Sequence, residues 1–415
     1  MTGPAAESTC RSCGEPGLAT FLSLGKTPLA DALVSVGDDF DAEEHFPLDV
    51  AFCPTCTQVQ ILEEVPAEKM FVDNYLYFSS FSDELLRHSR ENALRLIAER
   101  RLGPDSLVVE VASNDGYLLR NFVEAGVPVI GVDPAPDQAR VANENGVPTL
   151  ARFFGTELAA ELVAEGRRAD VIVANNVMAH VPELNDVMAG VALLLADGGV
   201  VSIENPYVRD LVDHVEFDTI YHEHLLYHSC TSIERLARRH GLVLNHVENF
   251  PRLHGGTLRW LLGRTEKRSA AATAFLESEQ ASGLTSLAYY EGFAARVERV
   301  RRDLRALIER LRGEGATVAA YGAAAKGATL LNTVGLTTDL VEFVVDRNTH
   351  KQGRLMPGTH QPIEHPSALV DRRPDYVLVL AWNFLDEIMA QQQEYSALGG
   401  RFVVPVPEPR IVEAP

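Results

Sequence analysis

Short apolar runs alternate with stretches of helical periodicity over most of the chain. Between residues 67 and 265 the runs 107–112, 127–132, 170–174 and 200–204 read as strands, with helices between them. Near-continuous apolar strands alternating with helices define a parallel sheet with crossover connections. An entry segment, 73–80, and a helix over 82–99 lead into the first strand. Two later runs, 243–249 and 257–262, are separated by too little chain for a crossover and so pair antiparallel. A stretch dense in Ala, Glu and Arg, 269–312, reads as a long helical connector. Strands at 318–321, 342–346, 376–380 and 402–405 then repeat the alternation. The chain is α/β, with a larger central Rossmann-like unit and a smaller C-terminal one.

Residues 1–66 lack this pattern and hold turn-rich Gly25-Lys26-Thr27-Pro28. Four of the chain's five cysteines fall here, as Cys10-x-x-Cys13 and Cys53-x-x-Cys56. Each pair puts two thiolates on one tight knuckle, and two knuckles supply the tetrahedral sulfur set that Zn²⁺ prefers. Redox thiols or two disulfides are the alternatives; metal spacing in both pairs and the lack of a secretory signal weigh against them. With every position filled by sulfur, the metal is structural. The expected domains are a zinc module over 1–66, a central domain over 67–265, and a connector with C-terminal domain over 266–415. Cys230, the fifth cysteine, reads as a core residue.

No apolar run is long enough to span a bilayer, and a formal net charge of −21 argues against nucleic acid despite the knuckles. A small anionic ligand stays open if basic groups gather locally.

The first central strand ends in Glu110-Val111-Ala112-Ser113-Asn114-Asp115-Gly116, and the second in Asp133-Pro134. Ligands of open α/β sheets bind at this carboxyl edge, where an acid such as Asp133 accepts both hydroxyls of a ribose. The spacing suits a dinucleotide or S-adenosylmethionine. Two features favour the latter: there is no Gly-x-Gly-x-x-Gly to seat a pyrophosphate, and Glu110 makes the pocket acidic, as a sulfonium and an ammonium require. Asn175 and Asn176 follow the next strand, placed to face the methionine part or the adenine.

The densest polar cluster is Asp218-Thr219-Ile220-Tyr221-His222-Glu223-His224. It lacks the His-Glu-x-x-His of zincins and suits a metal site or general base. On an extended or turning segment His222 and His224 would point the same way, with Glu223 opposite. The loop lies over the cofactor edge, as does His180.

The two knuckles, Glu110–Leu119, Tyr221-His222-Glu223-His224, His254-Gly255-Gly256-Thr257-Leu258-Arg259 and Tyr321-Gly322-Ala323-Ala324-Ala325-Lys326-Gly327 occur in this order. In that series the chain resembles the deoxysugar C-methyltransferases of antibiotic biosynthesis, which act on mycarose-, noviose- and tetronitrose-type precursors. The likeness runs over essentially the whole chain. It departs at Ala112, where many methyltransferases have glycine.

This resemblance implies a dTDP-linked 4-keto deoxyhexose as methyl acceptor, methylated at C3 by way of an enolate. It makes His224 the base, with Glu223 orienting a neighbour or the sugar and His222 competing for the role. Tyr221, His180, Tyr75 and Tyr77 become donors near the developing charge. The C-terminal turn would then hold the nucleotide through Tyr321, Gly322, Ala323, Lys326, Asn332, Asp346 and Lys351, unless that unit is a degenerate duplicate. An epimerase or oxidoreductase on the same keto sugar, a C5-methyltransferase, and a scaffold that binds without catalysis are the alternatives. A cytoplasmic monomer is expected.

Overall fold

The computed structural model describes residues 8–66, 78–251, 253 and 255–413, which form three sheets. The N-terminal module is an antiparallel sheet of β1 (Ala19–Thr27), β2 (Phe46–Phe52) and β3 (Val59–Ile61). Its fourth strand, β9 (Leu226–Tyr227), comes from the central domain and pairs Val59 with Tyr227 and Gln60 with Leu226. The sequence reading takes 25–28 as a turn, yet Gly25 to Thr27 extend β1; register shifts at Leu22 and Lys26 break its alternation and hide the strand.

The central sheet carries parallel strands β4 (Val108–Val111), β5 (Val129–Val132), β6 (Thr149–Leu150), β7 (Ala169–Asn175) and β8 (Leu195–Pro206). As expected, β10 (Val243–Phe250) and β11 (Thr257–Gly263) are antiparallel, and β11 joins the edge of β8. The order is β10-β11-β8-β7-β4-β5-β6. All four residues of β4 are buried, because helices cover both faces of the sheet. Helix Asp83–Arg100 begins on the Ser82 cap, whose side chain accepts from Leu85 N.

The expected long connector is instead three helices, Ala270–Ser282, Leu287–Glu291 and Phe293–Gly313. Gly283, with φ +80°, closes the first with a left-handed cap that a continuous helix cannot contain. The C-terminal sheet has the order β14 (Ile363–Glu364), β13 (Val344–Val345), β12 (Val318–Tyr321), β15 (Tyr376–Val379), β16 (Arg401–Val404), β17 (Arg410–Val412). Only β17 is antiparallel. No helix among the described residues is long and apolar enough to cross a membrane.

The N-terminal module docks on both other domains. Arg239 donates to Ser12 O at 2.7 Å and Asn185 Nδ2 to Arg11 O at 3.0 Å. On the other side, Val34 and Leu355 exchange backbone hydrogen bonds at 3.1 and 2.8 Å, and His360 Nε2 lies 3.0 Å from Glu43.

Candidate active site

The chain leaves β4 through a turn in which Ala112, Asn114 and Gly116 have φ of 55°, 48° and 79°. Gly116 is required there: a Cβ would come within 2.9 Å of Val147 Cβ, besides the positive φ. The expected helix begins only at Arg120 and lasts five residues, since this turn uses up the intervening chain. Asp133, at the end of β5, clamps the turn: its Oδ2 accepts Asn114 N at 2.8 Å and its Oδ1 accepts Ala135 N at 2.9 Å. Each oxygen keeps a second lone pair for a ribose hydroxyl.

A cavity opens over this edge. Of the residues expected to hold a cofactor, Ala112, Asn114, Asp133, Pro134, Asn175 and Asn176 line it; Glu110 and Gly116 do not. Glu110 is 1% exposed, and neither of its carboxyl oxygens has a partner among the described residues. Burial, and then Asp133, Asp115 and Glu204, push its proton affinity well above the carboxylate range. Asp133 is the acid on the cavity wall itself, where no Lys or Arg among the described residues lines the cavity, so the residues present fit S-adenosylmethionine better than a pyrophosphate. Phe153 and Phe154 also line the cavity and offer an adenine-sized apolar wall. Sequence reading missed them, and paired aromatics in the loop after β6 were the available signal.

His180 lines the same cavity and brings the polar cluster to it. Its ring lies 4.8 Å from that of His224, and its Nδ1 donates to Glu223 O at 2.5 Å. Burial lowers the proton affinity of His180. His224 is held at both nitrogens: Nδ1 faces Thr219 O and Nε2 faces Tyr221 Oη, each at 2.9 Å. A carbonyl only accepts, so Nδ1 bears the proton and Nε2 presents a lone pair towards the Tyr221 hydroxyl. The Tyr221 ring stacks on the imidazole at 4.0 Å.

His222 and His224 do not point the same way. His222 Nε2 donates to Pro47 O of β2 at 3.0 Å, and the ring meets Phe46 edge-on. The turn around His224, closed by its N–H on Tyr221 O, rotates alternate side chains out of the extended geometry expected for the segment. Glu223 is 5% exposed; its Oε1 accepts Asp31 N at 3.4 Å and its Oε2 has no partner among the described residues. Burial, and then the charge of Asp31, raise its pKa to about 8. Tyr75 and Tyr77 lie outside the described residues.

In the C-terminal domain, β12 ends at Tyr321-Gly322-Ala323, and helix Ala325–Val334 follows. Gly322 has φ 100°, and a Cβ there would lie 2.9 Å from Ala381 Cβ. Asp346 clamps this turn through Ala323 N and Asn348 N, both at 2.7 Å, much as Asp133 clamps the central one. Lys351 Nζ donates to Ala323 O at 2.7 Å and brings a cation to the turn. Tyr321 Oη donates to Gln391 at 3.3 Å.

Lys326 and Asn332 are engaged within the protein. Lys326 Nζ donates to Asn383 Oδ1 at 2.5 Å and sits 4.4 Å above the Trp382 ring, turned towards Asp218 and Glu216. Asn332 donates to Ala328 O and Pro357 O at 2.8 and 2.9 Å.

The four N-terminal sulfurs lie within 4.8 Å of one another, with Cys10–Cys56 at 3.4 Å and Cys13–Cys53 at 3.6 Å. These separations are far beyond an S–S bond and fit four thiolates about 2.3 Å from one Zn²⁺. The site is closed by four sulfurs, and none of the four cysteines lines the cavity, as a structural metal requires.

The parallel sheet, the acid-clamped turn and the cationic preference of the cavity define an S-adenosylmethionine-dependent methyltransferase with a structural zinc. Residues 10–71 match the family model of a zinc binding domain, 83–247 that of a methyltransferase domain, and 252–407 that of a C-methyltransferase C-terminal domain. The C-methyltransferase NovU of Streptomyces niveus is 37% identical over 98% of this chain and 97% of its own. The chain belongs to this family of three-part C-methyltransferases. A ubiquinone biosynthesis O-methyltransferase of Methylobacterium sp. (strain 4-46) is 31% identical over 29% of this chain and 50% of its own. Among solved structures, the magnesium protoporphyrin IX methyltransferase of Synechocystis PCC 6803 covers 48% of this chain and 89% of its own, at 14% identity and a TM-score of 0.35. That likeness is too loose to carry an argument.

Proposed function

We propose that this C-methyltransferase methylates C3 of a dTDP-linked 4-keto deoxyhexose, carrying either a hydroxyl or an amino group at that carbon, in the making of an antibiotic sugar. The single observation that carries the reading is His224: one nitrogen is fixed as a donor by Thr219 O, the other is aimed at Tyr221, and the ring lies beside cavity-lining His180. Carbon is a poor nucleophile, and a C–H next to a ketone becomes one only when a base removes its proton while donors hold the oxygen that gains charge. His224 Nε2 takes the proton, and Tyr221 supplies a hydroxyl within reach. When bound, S-adenosylmethionine supplies an electrophilic methyl group on a sulfonium. Asp133 and the Asn175–Asn176 pair hold its ribose and methionine parts.

The C-terminal turn holds the nucleotide. Its small residues let backbone N–H groups approach a phosphate, and Lys351 supplies the charge at that point.

Hydrogen–deuterium exchange at the carbon next to the ketone tests the base apart from the methyl step. His224→Asn is expected to slow both exchange and methylation by roughly 10²–10⁴-fold, with both ligands still bound. Exchange at the wild-type rate would remove His224 from the role. Deuterium uptake with S-adenosylmethionine supplied, giving an epimerised sugar and no methylated product, would identify an epimerase instead. NMR of the product fixes the carbon, C3 or C5.

A further inference from the structure

Gln58 stands two residues after Cys56, where the second zinc knuckle closes. Its backbone carbonyl accepts Cys53 N at 2.9 Å, and Thr57 N donates to Cys53 O at 2.8 Å, so the turn that carries two of the sulfurs fixes where the side chain starts. Gln58 is fully buried. Its Nε2 donates to Val59 O at 2.8 Å and to Tyr227 O at 2.9 Å, the second across 169 positions of chain. Carbonyls only accept, so both N–H groups of the amide are engaged and its orientation is set. Gln60 reaches back the other way: its Oε1 accepts Arg11 N at 2.9 Å and its Nε2 donates to Thr9 O at 3.4 Å, on either side of Cys10.

We propose that Gln58 is a positioning residue for His224, one that ties the zinc knuckle to Tyr227 and so keeps the imidazole in register with His180 and the cofactor cavity. This rests on the proposed reaction for what the imidazole does, but not for how it is held.

Tyr227 ends the segment that carries His224. Leu225 O, next to His224, accepts Ile61 N at 3.0 Å, and Leu226 and Tyr227 pair with Gln60 and Val59. On its other edge the segment meets the loop of His180, through Leu226 N on Ala179 O at 3.1 Å and His180 Nδ1 on Glu223 O at 2.5 Å. The Tyr227 ring stands edge-on to that of His224 at 6.5 Å. With only two residues, β9 is too short to keep a conformation alone. The 4.8 Å approach of the His180 and His224 rings therefore depends on what pins this segment to the zinc module. Gln58 does so from inside a knuckle, where metal ligation leaves the backbone little freedom.

Gln58→Met keeps the length and burial of the side chain and removes both donors. The test uses the zinc-loaded, full-length protein with S-adenosylmethionine bound and its histidine ring nitrogens labelled with ¹⁵N, at about pH 8.5, above the ordinary imidazole range. His224→Asn identifies the His224 signals. In the native protein these should show one protonated and one lone-pair nitrogen, as Thr219 O and Tyr221 dictate. In Gln58→Met the two signals should draw together as the ring samples both tautomers. Native-like His224 signals in that variant would overturn the proposal. If Gln58→Met loses zinc or its cooperative melt, Gln58→Asn, with its amide on a side chain one methylene shorter, replaces it under the same expectations. Loss of zinc there too would make Gln58 a residue of folding alone and would also overturn the proposal.

The turnover arm uses a dTDP-4-keto-deoxyhexose. In Gln58→Met kcat should fall roughly 10–100-fold, the scale of a misplacement of about an ångström, with S-adenosylmethionine affinity by calorimetry and zinc content unchanged. Displaced ring signals in a protein that methylates no keto sugar would preserve the positioning of His224 and refute the substrate reading. An enzyme silenced by His224→Asn but indifferent to Gln58→Met would do the reverse.

Discussion

Trp382 Nε1 donates to Asp218 Oδ2 at 2.6 Å, joining the C-terminal domain to the loop that carries Tyr221, Glu223 and His224. Asp218 is fully buried, and burial raises its pKa to about 6. Lys326, above the same indole, offsets part of that cost. The loop's position therefore depends on a residue from the domain proposed to hold the nucleotide. Trp382→Phe should lower kcat more than tenfold with S-adenosylmethionine affinity unchanged, because it leaves a buried carboxylate without its donor, at about 1–3 kcal/mol. Calorimetry for the cofactor together with steady-state rates checks this.

The closed sulfur site predicts one zinc per chain by elemental analysis. Cys53→Ser should lose the metal and with it the cooperative folding of the N-terminal module, since structural zinc contributes ~10 kcal/mol or more to small modules. A thermal melt should show an early transition, and activity should fall with it.

Asp133→Ala should weaken S-adenosylmethionine binding by about 1.5–3 kcal/mol, the scale of a hydrogen bond to a charged group. It also frees the N–H groups of Asn114 and Ala135 that the carboxylate clamps. Unchanged affinity by calorimetry would place the ribose elsewhere.

Ala112 occupies a left-handed position, φ 55°, where a Cβ costs roughly 1–2 kcal/mol. Glycine removes that cost but loses about 0.5–1 kcal/mol of backbone entropy. Ala112→Gly should thus gain up to about 1 kcal/mol in chemical denaturation with the cofactor site intact. A β-branched residue, as in Ala112→Val, should lose stability and cofactor affinity together.

His222→Asn should leave proton exchange near the native rate and instead loosen the contact with β2, because its imidazole is turned to Pro47 O and Phe46. Exchange lost in His222→Asn but kept in His224→Asn would reverse the assignment of the base.

Strands β4, β5, β7, β12 and β15 were legible because each is an apolar run buried on both faces, a pattern that needs no knowledge of neighbours, whereas β6, β9, β14 and β17 are too short or too polar to show it. Cys10, Cys13, Cys53 and Cys56 were legible because ligand spacing within each knuckle is local. Asp133 and Asn175 were placed at the cavity by their position after a strand. What the sequence hid was tertiary. The opposed directions of His222 and His224 come from a loop closed by hydrogen bonds to Thr219 and Pro47, and no periodicity encodes those. Trp382 reaches the polar cluster from a segment that carries no motif, Phe153 offered only its pairing with Phe154, and no local pattern foretold the contacts of Lys326 with Trp382 and Asn383.

The strand β9, Leu226–Tyr227, completes a sheet whose other three strands end at residue 61. During synthesis the N-terminal module therefore waits for about 165 further residues before its last edge is covered, and its metal is the one cross-link it can make early. Recombination between relatives meets the same constraint. A crossover near residue 66 would part Val59 and Gln60 from the edge they pair with here, so a chimera that joins the module of one relative to the central domain of another should fold less well than either parent.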